Sequence, residues 1–216
     1  MPQAYPACMK IGILGAGHIG KALARLLAEA GHEVGISNSK DPATLRDLAH
    51  ELGHGVKAFD REDAARFGEL VIETIPFGKY GTLPAVPMEG KIVIDTANYY
   101  PERDGQIDLG NLSESAFIAH HLPKSRVVKA FNTIASAHLE AQGDTTKPLD
   151  DRRAIFIAGD DQEAKDVVTG LIEQIGFAAV DTGSLEDSKV QQPGTAIYGP
   201  DLTATQARAE LTKLKG

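Results

Sequence analysis

The chain alternates short, wholly apolar runs with longer segments whose apolar residues recur every three or four positions. KIGIL, residues 10–14, is the first run. GAGHIG follows at once, and KALARLLAEAGHE then sets Ala22, Leu23, Leu26, Leu27 and Ala30 at helical spacing before the stop at Gly31. VGIS, residues 34–37, reads as a second strand. DPATLRDLAHELGH reads as a second helix, with Asp41 as its cap, Pro42 in its first turn and Gly53 at its end. GVKAF is a short third strand and REDAARF a short helix. The runs LVIETIP at 70–76, KIVIDTAN at 91–98, VVKAFN at 127–132 and AIFIAG at 154–159 supply further strands. DDQEAKDVVTGLIEQIG is a helix with acids in its first turn, FAAVDTG the last strand, and LTATQARAELTKL a closing helix after a Gly- and Pro-rich loop at 183–200.

Strands that are apolar on both sides, alternating with helices, predict a parallel sheet covered on both faces. Right-handed crossovers make that an α/β doubly wound Rossmann sheet, mostly parallel, with a C-terminal extension. The expected division is a nucleotide-binding domain over 9–182 and an extension over 183–216, packed on the sheet or on a partner subunit. The long QQPGTAIYGP loop carries Ile197 and Tyr198, and burying them against a second copy predicts a homodimer.

Composition narrows the chemistry. Hydrophobic residues make up 42% and charged residues 24% of the 216 positions, the balance of a globular chain rather than a disordered one. The net charge of −8 argues against a nucleic-acid partner, which calls for a basic surface. No apolar run is long enough to span a bilayer, so no membrane partner is expected. MPQAYPAC has neither a basic flank nor an apolar core and reads as a loose leader, not a secretion signal. Cys8 is the only cysteine, which removes any disulfide framework within one chain and any Cys-rich zinc site. A cytoplasmic location follows as the expectation.

Gly15-Ala16-Gly17-His18-Ile19-Gly20 matches G-x-G-x-x-G, between a strand and a helix. Gly15 permits the tight turn, Gly17 the approach of a pyrophosphate, and Gly20 close packing of helix on sheet. The helix amino end then presents free N–H groups and partial positive charge to phosphate. The second strand ends in Ser37-Asn38-Ser39-Lys40, without the acid that holds the ribose of NAD. Hydroxyl and amide donors with a lysine suit a 2′-phosphate, so the cofactor read here is NADP(H). Asp41, displaced by a few residues, is the alternative acid. Three more strand ends face the same side of such a sheet. Thr74-Ile75-Pro76-Phe77 offers Pro76 as a rigid turn and Phe77 as an apolar wall for the nicotinamide. Asn98 and Asn132 offer hydrogen bonds to a carboxamide or ribose. Each is also explicable as a turn residue satisfying its own backbone.

Other patterns carry less. His50-Glu51-Leu52-Gly53-His54 matches the H-E-x-x-H of zinc proteases, but Gly53 falls where the helix should stop, so no metal site is expected. Asn111-Leu112-Ser113 reads better as a helix start than as a glycosylation site, and His120-His121 as a helix end. No acid–base constellation is recognisable, so no catalytic side chain is assigned.

These residues resemble a known family. MKIGILGAGHIGKALARLLAEAGHEV, SNSK-DP, TIPFGKY, DTANYYP, VVKAFNTI and AGDDQEAKDVV, in that order over nearly the whole chain, are similar to the NADP oxidoreductases that depend on the deazaflavin coenzyme F-420. The oxidoreductase domain of STEAP-type metalloreductases is similar too, and uses flavin. The resemblance implies NADPH in the GAGHIG cleft and hydride exchange with a deazaflavin or flavin, a small-molecule redox partner. It implies that Ala16, Gly17, His18 and Ile19 meet the pyrophosphate. Asn38, Ser39 and Lys40 would meet the 2′-phosphate, and Ile75 and Pro76 would flank the nicotinamide. Two rivals stand beside it: a reductase of small imines or carbonyls, and a non-catalytic NADP(H) sensor.

Overall fold

The structure, a computed structural model, describes residues 8–215. Residues 1–7 of the expected leader lie outside the described residues, and Cys8 is exposed. The chain runs β1 (Lys10–Leu14), α1 (His18–Glu29), β2 (Glu33–Ser37), α2 (Arg46–Leu52), β3 (Lys57–Phe59), α3 (Arg61–Phe67) and β4 (Leu70–Glu73). It continues with α4 (Ala85–Met88), β5 (Ile92–Asp95), α5 (Pro101–Asp104), α6 (Glu114–His121), β6 (Arg126–Ala130) and α7 (Ser136–Ala141). β7 (Ala154–Gly159), α8 (Gln162–Gln174), β8 (Ala178–Asp181) and α9 (Ala204–Lys215) complete it. The eight strands form one sheet in the order β3-β2-β1-β4-β5-β6-β7-β8. The order reverses at β1, which puts the crevice for a ligand beyond the carboxyl ends of β1 and β4.

Strand periodicity divides the core in two. Ile11, Ile13, Leu70, Ile72, Ile92 and Ile94 face one side, against Leu23 and Leu27 of α1 and Val168, Leu171 and Ile172 of α8. Val71, Val93 and Val127 face the other, against Ala64 and Ala65 of α3 and Ile118 of α6. Both faces are covered, which is why the strands carry no polar alternation.

One strand pairing departs from the simplest crossover. β7 pairs antiparallel with β6, Ala130 opposite Ile157 and Val128 opposite Gly159, and β8 then follows β7 in parallel. β8 therefore ends at the edge of the sheet opposite the crevice. The segment beginning at Gly183 has to run back. Leu185 is tied to Asp160 and to Ser113, and Gln191 reaches Asn132. α9 then packs on β7 and β8, where Ala204, Ala207 and Leu211 join Phe156, Val180 and Ile197 in a third cluster. Ile197, the apolar residue that motivated a partner interface, is buried within its own chain. Among the described residues no helix is long and apolar enough to cross a membrane.

Candidate functional site: a cationic cleft at the carboxyl ends of the strands

A cleft of about 1000 Å³ opens at the crevice, and its lining includes Gly15, Ala16, Gly17, His18 and Ile19. The three fingerprint glycines are there for different reasons. Gly15 has φ +128°, and a Cβ on it would lie 2.5 Å from Thr74 Oγ1. A Cβ on Gly20 would lie 2.1 Å from the Gly15 carbonyl oxygen. Both are demanded by the fold. Gly17 is not: it caps α1 at φ −76°, ψ −170°, a conformation open to any residue, and a Cβ there meets nothing within 4 Å. Neither backbone conformation nor packing requires a glycine there. α1 has no side-chain cap and no acid in its first turn, so no side chain of its own answers the N–H groups and partial positive charge at its amino end.

At the tip of β2, the Ser37 side chain is fully buried and donates to the Ile13 carbonyl at 3.2 Å. It holds β2 to β1 and does not line the cleft. Asn38 and Ser39 do. Asn38 is oriented by accepting the Lys40 N–H at 2.8 Å and donating to Thr44 Oγ1 at 3.2 Å. Lys40 is exposed and is not among the lining residues. Asp41 spends its carboxylate on the Ala43 N–H, 2.7 Å away, as the cap of the following turn, and does not line the cleft either. The cation at this end is Arg61, the first residue of α3. Its Nη1 donates to the Thr82 carbonyl at 3.1 Å, while its buried Nε has no partner among the described residues. Lys79 lines the cleft with it. Neither was singled out from sequence, because only the β3–α3 and β4 turns bring them beside β2.

Across the cleft, Thr74 Oγ1 donates to the Gly15 carbonyl at 3.0 Å and couples the β4 turn to the fingerprint loop. Ile75 and Pro76 line the cleft as expected. Phe77 does not. It is 1% exposed, with its ring 5.3 Å from that of Tyr99 and 5.8 Å from that of Phe117. Pro76 turns the chain so that the next side chain enters the core below. Asn98 lines the cleft, but Asn132, 4% exposed, does not. Asn132 sits behind Asn98, donating to Asn98 Oδ1 at 3.0 Å and to the Gln191 carbonyl at 2.8 Å. The preceding Phe131 takes φ +62°, the left-handed turn that aims it there. Tyr100 and Arg103, two residues the strand-end reading passed over, complete this end. Arg61, Lys79 and Arg103 all line the cleft, Arg103 as the partner of the buried Asp104 carboxylate 2.7 Å away, and among the described residues no Asp or Glu is itself in the lining, in a chain of net charge −8.

The acids lie one layer beneath. Glu73, Asp95 and Lys129 are register partners on β4, β5 and β6, and all are buried. Lys129 Nζ lies 3.3 Å from Asp95 Oδ2 and 3.9 Å from Glu114 Oε2, and donates to the Ala97 carbonyl. Asp95 also accepts from Ser115 Oγ at 2.5 Å and the Ala97 N–H at 2.9 Å. Burial alone would raise the Asp95 carboxyl, but Lys129 and the hydrogen bonds outweigh it and hold it below its ordinary range. Burial, with Asp95 alongside, pushes Glu73 well above its range. Burial lifts Glu114 to about 7 against the pull of Lys129 and the Tyr99 N–H. One cation thus faces one fixed carboxylate and two protonatable ones. The network stitches the turns after β4 and β5, since Glu73 also accepts the Ile75 N–H and the Thr96 hydroxyl donates to the Glu73 carbonyl. The sequence did hold a signal: Glu73, Asp95 and Lys129 stand as charges inside the apolar runs LVIETIP, KIVIDTAN and VVKAFN.

His50 and His54 do not form a zinc helix. α2 ends at Leu52, Gly53 turns at φ +72°, and His54 follows at φ +49°. Among the described residues no group of three or more His, Cys, Asp or Glu is placed to hold a metal. His121 packs edge-on against Tyr80 at 5.4 Å.

With this geometry in view, the comparisons are specific. Residues 10–99, which hold the fingerprint, the β2 tip and both strand ends at Thr74 and Asn98, match the family described as NADP oxidoreductase, coenzyme F420-dependent. The metalloreductase STEAP3 of Rattus norvegicus is 30% identical over 182 residues, 83% of this chain and 35% of that protein. STEAP2 of Homo sapiens is 27% identical over 186 residues, covering 83% and 34%. The chain spans about a third of the length of the curated relatives it matches. The hypothetical protein SMa0349 of Sinorhizobium meliloti is 32% identical, with a TM-score of 0.76 over 91% of this chain and 95% of that one. A proposed F420-dependent NADP reductase of Arthrobacter sp. FB24 is 26% identical, with a TM-score of 0.70 over 96% and 90%. An imine reductase of Pseudomonas sp., 16% identical with a TM-score of 0.60 over 95% of this chain and 62% of that one, shares the fold alone. Over residues 10–99 the chain is thus similar to the NADP oxidoreductase family, and over nearly its whole length to a proposed F420-dependent NADP reductase.

Proposed function

We propose that this protein passes hydride between NADP(H), held in the cleft, and a deazaflavin or flavin acceptor. The observation that carries the nucleotide half is Gly17, a helix-capping glycine that neither backbone nor packing requires. A pyrophosphate is the group whose approach such a position admits. Ala16, His18 and Ile19 would flank it, with the α1 amino end supplying N–H donors. Asn38, Ser39 and Arg61 would take the 2′-phosphate, Arg61 in the place expected for Lys40. A guanidinium matches phosphate with paired donors, and Arg61 has an unpartnered Nε to give. Ile75, Pro76 and Asn98 would hold the nicotinamide end. Bound there, the nicotinamide supplies or takes the hydride.

The acceptor half rests on the family and on the charge of the cleft. Flavin mononucleotide and coenzyme F420 are both anionic, and a lining that holds Arg61 and Lys79 with no acid beside them favours such acceptors over neutral substrates. The chain's own task is to bind two flat rings face to face and exclude water between them. The test is anaerobic stopped-flow oxidation of NADPH against coenzyme F420, FMN, FAD, a ferric chelate and a cyclic imine. Rapid oxidation by F420 or a flavin is expected. Turnover with the imine alone, or tight NADPH binding with no turnover at all, would overturn the reading.

A further inference from the structure

We propose that Tyr100 is the hydrogen-bond and proton donor to the hydride acceptor, its hydroxyl hydrogen aimed into the cleft by Tyr198 of the C-terminal segment. The inference rests on the acceptor reading above. It follows from the polarity of one hydrogen-bonded chain. Asn98 Nδ2 donates to the Asn132 carbonyl at 2.9 Å and to the Tyr198 hydroxyl at 3.3 Å. Asn98 Oδ1 accepts from Asn132 Nδ2, whose other hydrogen goes to the Gln191 carbonyl. Turning the Asn98 amide over would set its oxygen against the Asn132 carbonyl, so its orientation is fixed. Tyr198 therefore accepts from Asn98. Its own hydrogen has one acceptor among the described residues, the Tyr100 hydroxyl 2.5 Å away. Tyr100 accepts that hydrogen, and its own is left for the cleft it lines.

The surroundings suit the role. The Arg103 guanidinium lies 4.9 Å from the centre of the Tyr100 ring, held there by donating to both Asp104 carboxylate oxygens, at 2.9 and 2.7 Å, and to the Asn98 carbonyl at 2.6 Å, so it fixes the ring that carries the hydroxyl. Burial, with the bond to Tyr100, holds the Tyr198 hydroxyl above the ordinary tyrosine range, so it remains a donor. The other charged groups near the pair are Asp104, which accepts the Tyr100 N–H, and Glu114, whose carboxyl accepts the Tyr99 N–H. The step balances. NADPH gives two electrons and a hydrogen as hydride and leaves as NADP+. The acceptor ring gains a C–H or N–H bond, and negative charge develops on its conjugated heteroatom. The Tyr100 O–H bond breaks as that heteroatom takes the proton, and water at the cleft mouth reprotonates the phenolate. Tyr100 is the catalytic residue and Tyr198 a positioning one.

The experiment compares wild type, Tyr100→Phe and Tyr198→Phe, each checked for an unchanged melting temperature and NADPH affinity. Acceptor binding without turnover is read from fluorescence quenching of FMN and of F420 by the NADP+ complex. Tyr100→Phe should lower kcat roughly 100-fold, leave KM for NADPH within about twofold, and weaken acceptor binding about fivefold. Tyr198→Phe should cost less in kcat, about tenfold, and leave acceptor binding within about twofold, a split of kcat from binding that a merely structural loss would not give. A kcat for Tyr100→Phe within threefold of wild type overturns the role of Tyr100 and leaves the acceptor reading standing. Wild type that neither binds nor reduces FMN or F420 overturns that reading, and Tyr100 with it.

Discussion

Replacing Gly17 by serine separates what the fold needs from what the ligand needs. The position is the N-cap of α1, in extended backbone, and the space a Cβ would enter is empty to 4 Å. Serine is a better N-cap than glycine by a few tenths of a kcal/mol, so stability should hold or rise slightly. Alanine, which cannot cap, should cost about 1 kcal/mol or less. The same atoms stand where a pyrophosphate would meet the backbone. Losing close contact with two or three N–H donors, each charge-assisted bond contributing ~1.5–3 kcal/mol, should weaken NADPH by at least ~100-fold. Gly20→Ala supplies the contrast. Its Cβ would fall 2.1 Å from the Gly15 carbonyl oxygen, so the loop must move and the melting temperature must drop. Thermal unfolding with and without NADPH reads both effects. A Gly17→Ser protein that is stable and binds NADPH like wild type would refute the reasoning, because the glycine would then have no reason at all. So would loss of stability as large as that of Gly20→Ala.

Three further outcomes follow from the geometry. Arg61→Ala should weaken NADPH about tenfold or more and NADH little, whereas Lys40→Ala should affect the two alike; equilibrium titration of both variants with both nucleotides checks this. Phe77→Ala should cost ~3–5 kcal/mol of stability through the cavity left among Tyr99 and Phe117, with NADPH affinity nearly unchanged in the folded protein, as denaturant titration beside nucleotide titration would show. Glu114 titrates at about 7 when folded against 4.5 when free, so the folded state holds the extra proton. Its contribution is full below pH 4.5 and is lost as pH rises to about 7, roughly 3 kcal/mol if it acted alone. Melting temperatures should fall across that window, and Glu114→Gln should flatten the fall.

The sheet and its nucleotide end were legible because each local signal had a single physical meaning. A strand, a glycine turn and a capless helix in GAGHIG admit few other arrangements, and the apolar runs named the strands. The direction of β7 was not legible, since an apolar run carries no arrow; only the antiparallel register with β6 reveals it. Phe77 was misplaced because Pro76 fixes a turn without saying which way the next side chain leaves it. Arg61, Tyr100 and Arg103 were passed over because the cleft gathers residues from five separate connections, and these three lie past the strand tips on which the sequence reading rested. Tyr198 lies 98 positions from the hydroxyl it touches. The charges of Glu73, Asp95 and Lys129 were visible as polar residues in apolar runs, but their pairing needed the strand order. The tail was expected on the sheet or on a partner, and Ile197 with Ala204, Ala207 and Leu211 is buried against its own sheet, while Leu214 stays exposed.

The central claim is that an acid-free, cationic cleft at the carboxyl ends of β1, β2 and β4 holds NADP(H). Calorimetric titration of the wild-type protein with NADPH and with NADH tests it most directly. The account predicts one site per chain and an affinity for NADPH at least about tenfold higher, the worth of one charge-assisted contact to the 2′-phosphate. Equal affinities, a preference for NADH, or no binding of either nucleotide would contradict it.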